Sequence, residues 1–430
     1  MPIDFSVEPE FQEKLDWISE LLRDEIYPLE VLDLTHAQLL QMVAPLRERV
    51  VAQELWAPHL DPELGGQGFG QVKMGLIHEL LGRSRIAPFV FGCQAPDSGN
   101  SEILALNGND EQKARWLYPL LDGEIYSSYA MTEPTAGADP TMLSTLAVLD
   151  GDEWVINGDK WFITNASIAD FFIIMLVTEP DAPPHARASQ IIVPADTPGV
   201  RVVREIGTIE DQHPQPGDWD SHAVLELRDV RVPAGNILGE RGTGFAQAQQ
   251  RLGPGRIHHA MRWIGQSKRA FDMLCEWVLH RRAAGGVLAE KQTIQNWIAD
   301  SAVEIEAARL MTLKAAWIMD TQGSRAARRE ISMIKFWGAR ILHDVIDRSL
   351  QAHGSLGYSS DMPLEQMYRY ARAARIYDGP DEVHRATVAR QILRDYEPPA
   401  DGVPTEHVPT RRAASEKRFE QMLEQVAANA

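Results

Sequence analysis

The sequence predicts a mixed α+β protein in which a helical region, a strand-rich region and a second helical region follow one another. Two observations predict it. Hydrophobic spacing passes from helical to short β-branched runs and back, and no βαβ unit repeats, which argues against a doubly wound sheet. At 430 residues and 44% hydrophobic content, the chain can bury large cores and divide into two or three domains. The expected boundaries are an N-terminal all-α domain at 1–125, a middle β domain at 126–238, a C-terminal helical domain at 239–397 and a tail at 398–430.

Each region is justified by its own pattern. From Phe5 to about Leu121, Phe11, Leu15, Ile18, Leu21 and Leu22 recur at helical spacing, interrupted by the Pro- and Gly-rich loop Ala57–Gly70. From Ile125 to about Leu238, the runs Trp154–Gly158, Phe171–Val177, Gln190–Pro194 and Ala223–Val232 read as strands between turn residues. From Gly244 to Asp395, Ala246–Leu279, Gln292–Gln322, Ala326–Leu350 and Pro363–Arg375 read as helices. Pro398–Thr410 is Pro-rich and reads as extended. Glu416–Val426 reads as a short terminal helix that can equally fray.

Composition narrows the function. A net charge of −19 leaves no basic field to neutralise phosphates, so nucleic-acid binding is not expected. The two cysteines, Cys93 and Cys275, lack metal-ligand spacing and suit a reduced compartment. Met1-Pro2-Ile3-Asp4 carries no signal-like pattern, and no stretch has the length of a membrane span, so a soluble cytoplasmic protein is expected. Gly242-Thr243-Gly244 follows no βαβ strand and reads as a helix entry. Adjacent residues on a helix point in different directions, so His258-His259 cannot chelate one ion and no metal site is expected.

The most informative stretch is Ile376-Tyr377-Asp378-Gly379-Pro380-Asp381-Glu382-Val383-His384-Arg385. It sets Asp378 between an aromatic residue and a Gly-Pro turn that opens a helix, and Gly379 lets backbone approach a ligand. In an apolar pocket, such a carboxylate has its pKa raised and can remove a carbon-bound proton near neutral pH. Alone, the turn reads equally as a helix start with a capping acid.

Several motifs in order change that balance. Asn109-Asp110-Glu111-Gln112-Lys113 leads through Leu121-Asp122-Gly123-Glu124 into Tyr129-Ala130-Met131-Thr132-Glu133-Pro134-Thr135-Ala136-Gly137-Ala138-Asp139, similar to a T-E-P-x-A-G-S-D motif. Asn157-Gly158-Asp159-Lys160-Trp161-Phe162-Ile163-Thr164-Asn165 is similar to a G-x-K-x-W/F-I-T-N element. Val232–Gly239 with Gly242–Phe245 follows, and then Arg281-x-x-Ala284-Gly285-x-x-Leu288-x-x-x-Gln292-x-x-Gln295. Together they resemble the acyl-CoA dehydrogenase family over about residues 10–395. The wording around Asp378, with Arg251–His259, resembles a branch whose base is Asp in place of Glu and some of whose members act on hydroxylated acyl groups.

The resemblance implies a middle β-barrel-like domain, a C-terminal four-helix bundle and bound FAD. Tyr129, Met131, Thr132, Ala138, Phe162 and Thr164 would hold the cofactor, with Phe162 packing on the flavin ring and Thr164 near its N5. Arg281 would reach the pyrophosphate of a neighbouring subunit, with Gln292 and the Gln351, Gly354 and Ser355 turn on the adenosine side. Pro380 and Glu382 would also lie near FAD. Ala138, Arg256 and Gly379 would contact substrate. Asp378 would take the α-proton of an acyl-CoA while the β-hydride leaves to flavin N5, and its backbone N–H would bind the thioester oxygen. Gly255 occupies the other position where family members carry a base, and cannot serve. Ala284 stands where the family usually has Phe, and Ala138 where it commonly has Ser. An electron-transfer flavoprotein is the implied acceptor, and a homodimer or a homotetramer built as a dimer of dimers the implied assembly. Two alternatives stay open: an oxidase of the same fold acting on another acidic C–H substrate, and a flavin-binding protein without turnover.

Overall fold

The helical spacing of the first quarter of the chain is realised as α1 (Pro9–Leu21), α2 (Tyr27–Glu30), α3 (His36–Ala52), α4 (Gly70–Leu81), α5 (Ala87–Val90), α6 (Asp97–Asn107), α7 (Asp110–Gln112) and α8 (Tyr118–Leu121). The structure, a computed structural model, describes residues 4–64, 66–399 and 402–429; the reading of Met1-Pro2-Ile3 therefore lies outside the described residues. Phe11, Leu15, Ile18 and Leu21 form the buried stripe of α1. A capping box opens α3, with Thr35 and Gln38 exchanging side-chain and backbone hydrogen bonds. The chain forms two compact units, Met1–Arg385 and Ala386–Ala430.

The middle region is one sheet of eight strands: β1 (Ser127–Ala130), β2 (Leu146–Asp150), β3 (Glu153–Thr164), β4 (Phe171–Val177), β5 (Ala188–Pro194), β6 (Val200–Glu205), β7 (His222–Pro233) and β8 (Ile237–Leu238). The order is β6-β7-β3-β2-β4-β5-β8, with β1 paired in parallel to β4. Every residue of β4 is buried, which explains its unbroken run of apolar residues. Phe172, Ile174 and Leu176 face a core shared with Trp154 and Ile156 of β3 and Leu225 and Val230 of β7. Phe171 and Ile173 face the other way, into a cluster with Ile103, Leu104, Trp116 and Leu117.

The third region holds α9 (Gly244–His280), a hairpin of β9 (Arg282–Ala283) and β10 (Gly286–Val287), then α10 (Gln292–Gln322), α11 (Arg328–His353), α12 (Leu364–Ala373) and α13 (Asp381–Leu393). One hydrophobic cluster runs through α1, α4, α9, α10 and α11, so the helices on either side of the sheet in sequence share a core. Periodicity locates each helix but carries no information on which distant helix its apolar stripe meets. The tail differs from expectation: α14 (Val408–Arg418) starts inside the stretch read as extended, with Pro409 in its first turn, and α15 (Glu420–Ala428) follows. Among the described residues, no helix is long and apolar enough to cross a membrane.

Candidate active site

The loop after β1 is braced from beneath by a buried ion pair. Lys160 on β3 is 0% exposed and donates to the Met131 carbonyl at 3.0 Å, the Met175 carbonyl at 2.5 Å and Glu133 Oε1 at 2.9 Å. Glu133 also accepts from the Ser144 N–H and hydroxyl, both at 2.7 Å, and from the Thr145 N–H at 2.9 Å. Burial raises the Glu133 carboxyl, but Lys160 and these donors outweigh it and hold it down to about 2. The lysine of the second motif and the glutamate of the first are thus one structural unit. The Trp161 N–H adds a bond to the Thr132 carbonyl at 3.1 Å.

The pairing of β3 with β7 slips between Lys160 and Ile163, a bulge that takes Trp161 and Phe162 out of the ladder. Phe162 adopts φ 54° and its ring is 45% exposed, beside a sheet core that is otherwise closed. A large aromatic residue in the left-handed region is an outlier of the kind found at ligand sites. Thr164 ends β3, half-buried, with its hydroxyl 3.0 Å from His222 Nδ1. An exposed aromatic ring, a strand-end hydroxyl and the braced backbone of Met131 and Thr132 fit a flat, partly polar heteroaromatic ring such as flavin. Tyr129 sits deeper, accepting from Gln190 at 3.0 Å under the Arg251 guanidinium. Ala138 lies in the exposed part of the loop.

Asp378 also holds a left-handed conformation, φ 54°, which a short polar side chain tolerates. Its carbonyl accepts from Arg256 Nε and His384 Nε2, both at 3.1 Å. Lys335, 0% exposed on α11, donates to the Ala374 carbonyl at 2.7 Å and the Gly379 carbonyl at 3.3 Å. Three elements therefore grip the backbone of this one turn. Among the described residues, the Asp378 N–H donates to no protein acceptor. Gly379 has φ 95°, and a Cβ there would meet His384 Nε2 at 2.9 Å. Gly379→Ala is therefore expected to destabilise the protein by about 1 kcal/mol or more and to lower turnover, read by thermal unfolding and steady-state rates.

The pocket around the carboxylate corrects one expectation. Burial does push the Asp378 carboxyl up, but His259, Arg256, Lys335 and Arg251 outweigh it, and its pKa is lowered rather than raised. An apolar pocket is the condition for a raised value, and these polar and charged groups, which come from other parts of the chain, remove it. The carboxylate is therefore ionised across the neutral range without special tuning.

The remaining predicted cofactor residues form a separate group. Arg281 caps α9, exposed, with its guanidinium 5.9 Å from the Trp277 ring. Trp277 also donates to the Ala352 carbonyl at 3.2 Å and stacks on His353, next to the turn at Gly354 that ends α11. Gln351, Gly354 and Ser355 are exposed there, and Gln292 is exposed at the start of α10. Ala284 and Gly285 turn the β9–β10 hairpin with φ 48° and 84°, so Ala284 supplies the turn and no bulky ring. Pro380 and exposed Glu382 lie at the entry to α13, where Arg375 Nε holds Asp381 at 2.8 Å.

Beside Arg256, which the resemblance already places at the substrate, several groups at the site escaped the motif reading. Arg256, His259, Arg262 and Trp263 recur at helical spacing on α9 and face the Asp378 turn. Trp263 donates to the Tyr377 hydroxyl at 2.9 Å. Arg262 lies within charge range of both Asp378 and Asp220, and the Asp220 N–H donates to Asn165 at 2.8 Å, directly after Thr164. His258 points elsewhere, 3.0 Å from Gln71 and stacked on His78. Among the described residues, no three metal-ligating side chains cluster.

Asp378 thus sits on a clamped turn, and Phe162 and Thr164 sit at a bulged strand end. Comparison with known proteins gives the family. Models of the acyl-CoA dehydrogenase N-terminal, middle and C-terminal domains match residues 8–124, 128–214 and 242–393. The chain is 43% identical over 358 residues to a Mycobacterium tuberculosis protein named "Probable acyl-CoA dehydrogenase FadE2", covering 82% of this chain and 86% of that one. It is 41% identical over 361 residues to acyl-CoA dehydrogenase family member 11 of Rattus norvegicus, spanning only 45% of that longer protein. A solved chain from Mycobacterium abscessus superposes with a TM-score of 0.85 at 39% identity, over 91% of this chain and 100% of that one. Butyryl-CoA dehydrogenase from Megasphaera elsdenii gives 0.76 at 26% identity, with 91% and 100% covered. The chain belongs to the acyl-CoA dehydrogenase family and is an FAD-dependent enzyme with that family's fold.

Proposed function

We propose that this chain catalyses the α,β-dehydrogenation of an acyl-CoA thioester to the 2-enoyl-CoA, with Asp378 as the base. The observation that carries the reading is the Asp378 turn: an ionised carboxylate on a left-handed residue whose carbonyl is held by Arg256 and His384. Bound flavin supplies the acceptor for the β-hydrogen and its electron pair. Asp378 takes the α-proton: the α C–H bond breaks, an O–H bond forms and the electron pair stays on carbon. The Asp378 N–H points its dipole at the thioester oxygen, where charge develops. Arg256 and Gly379 fix that turn, and Arg256, Gly379 and Ala138 border the substrate.

Phe162, Thr164, Met131 and Thr132 form the flavin side of the site, backed by Tyr129. Arg281, Gln292, Gln351, Gly354 and Ser355, which make no contact with that group among the described residues, serve the pyrophosphate and adenosine of a neighbouring subunit's FAD. Pro380 and Glu382 border the cofactor from the α13 side. The assembly is then a homodimer or a homotetramer, and an electron-transfer flavoprotein accepts the electrons.

The test is an anaerobic visible titration of the FAD-loaded protein with acyl-CoAs varied in length and hydroxylation. Bleaching of the flavin band by some of them is expected. A flavin that binds and never bleaches overturns the reading, and rapid oxygen uptake without an added acceptor would turn it into an oxidase.

A further inference from the structure

His259 lies between the proposed base and a buried arginine, and hydrogen-bonding chemistry fixes where its proton sits. Arg262 Nη2 is 3.0 Å from His259 Nδ1 and 3.5 Å from Nε2, so Nδ1 has the closer contact, while His259 Nε2 is also 3.5 Å from Asp378 Oδ2. A guanidinium has donors and no acceptor, so the ring nitrogen facing it must accept. The imidazole proton therefore resides on Nε2, toward the carboxylate. Arg262 is itself fixed, donating to the Cys93 carbonyl at 3.2 Å. The His259 ring is packed between Tyr377, 5.1 Å away, and Trp263, 6.2 Å away.

We propose that His259, locked in one tautomer by Arg262, is a positioning residue for the base: it engages one oxygen of Asp378 and leaves the other free for the substrate's α-proton. The inference rests on Asp378 being the base. At 3.5 Å the contact is longer than a good hydrogen bond, and such contacts tighten when a catalytic site fills. Burial and Arg262 push the imidazole down to about 3, so His259 stays neutral and cannot take the proton onward. Its role is to orient and, as a neutral N–H donor, to favour the carboxylate form, while the cationic Arg256, Lys335 and Arg251 supply the charge that lowers the Asp378 pKa. An Asp side chain has one rotatable bond fewer than Glu, and a neighbour that fixes its remaining torsion removes most of its freedom.

The pH dependence follows with a definite sign. The groups facing Asp378 are Arg251, Arg256, His259 and Arg262 from α9, Lys335 from α11, His384 from α13 and the adjacent Tyr377. Together they lower its pKa, so in the wild type the acid limb of kcat/KM lies below the ordinary carboxylate range. Its contribution to stability is present above the unfolded value and is lost as pH falls through the folded one. Losing the His259 donor raises the Asp378 pKa and moves that limb upward.

The experiment compares His259→Leu and His259→Gln, both FAD-loaded, across pH with an acyl-CoA that bleaches the wild type. His259→Leu is expected to lower kcat about 10- to 100-fold with little change in KM, and to shift the acid limb up by about one unit. His259→Gln, which keeps an N–H donor, should recover most of both. An unmoved limb in His259→Leu, or a Gln variant no better than Leu, overturns the proposal. Asp378→Asn serves as the control. If it still bleaches at the wild-type rate, the assignment of the base has failed; if it is inactive and the His259 limb does not move, only the positioning role has.

Discussion

Asp378→Asn is expected to give a folded, yellow protein whose flavin is reduced by acyl-CoA about 10³-fold more slowly than wild type. The amide is nearly isosteric with the carboxylate and tolerates the same left-handed conformation, so φ 54° adds no new strain. Arg256 and His384 bind the carbonyl of residue 378, which the substitution leaves in place. What disappears is the basic oxygen. Anaerobic stopped-flow at the flavin band separates this from a folding defect, since FAD content and unfolding temperature should stay near wild type. A loss of FAD together with activity would instead make the turn structural.

The second large effect lies away from the chemistry. Lys160→Met is expected to destabilise the protein by about 3–5 kcal/mol, because it leaves Glu133 buried without its counter-charge. The pair is 0% and 1% exposed, so water cannot take over. The Ser144 and Thr145 donors remain but supply no positive charge. The same change removes the bond to the Met131 carbonyl, so FAD binding should weaken in parallel. Lys160→Met with Glu133→Gln should recover a large part of the loss, because the uncompensated charge is gone, and denaturant midpoints of the four proteins measure the coupling. With Glu133 held down to about 2, its contribution is present above the unfolded value of 4.5 and is lost as pH falls through about 2.

Much of this fold is legible in the sequence, for physical reasons. Long amphipathic segments such as Gln292–Gln322 carry their period in every turn, and the run Phe171–Val177 announces a strand buried on both faces. Asp378 is legible because its neighbours in sequence, Tyr377 and Gly379, are its neighbours in the turn. What surrounds the carboxylate is not. His259, Lys335 and Arg262 reach it from α9 and α11, and a lysine in an apolar helix stripe looks like an outward charge until the helix is packed. The expected apolar pocket and raised pKa failed for that reason. Only the family resemblance assigned Arg281, Gln292 and the Gln351–Ser355 turn to a neighbouring subunit's cofactor, since order along the chain does not encode distance between helix ends.

The central claim is that the Asp378 carboxylate starts the reaction by taking the substrate's α-proton. The most direct measurement is anaerobic flavin reduction with an acyl-CoA deuterated at the α-carbon, set against the unlabelled substrate. Bleaching that is clearly slower with the deuterated substrate in the wild type, and nearly absent with either substrate in Asp378→Asn, is the predicted result. Equal rates for the two substrates, with Asp378→Asn bleaching as fast as wild type, would contradict the account.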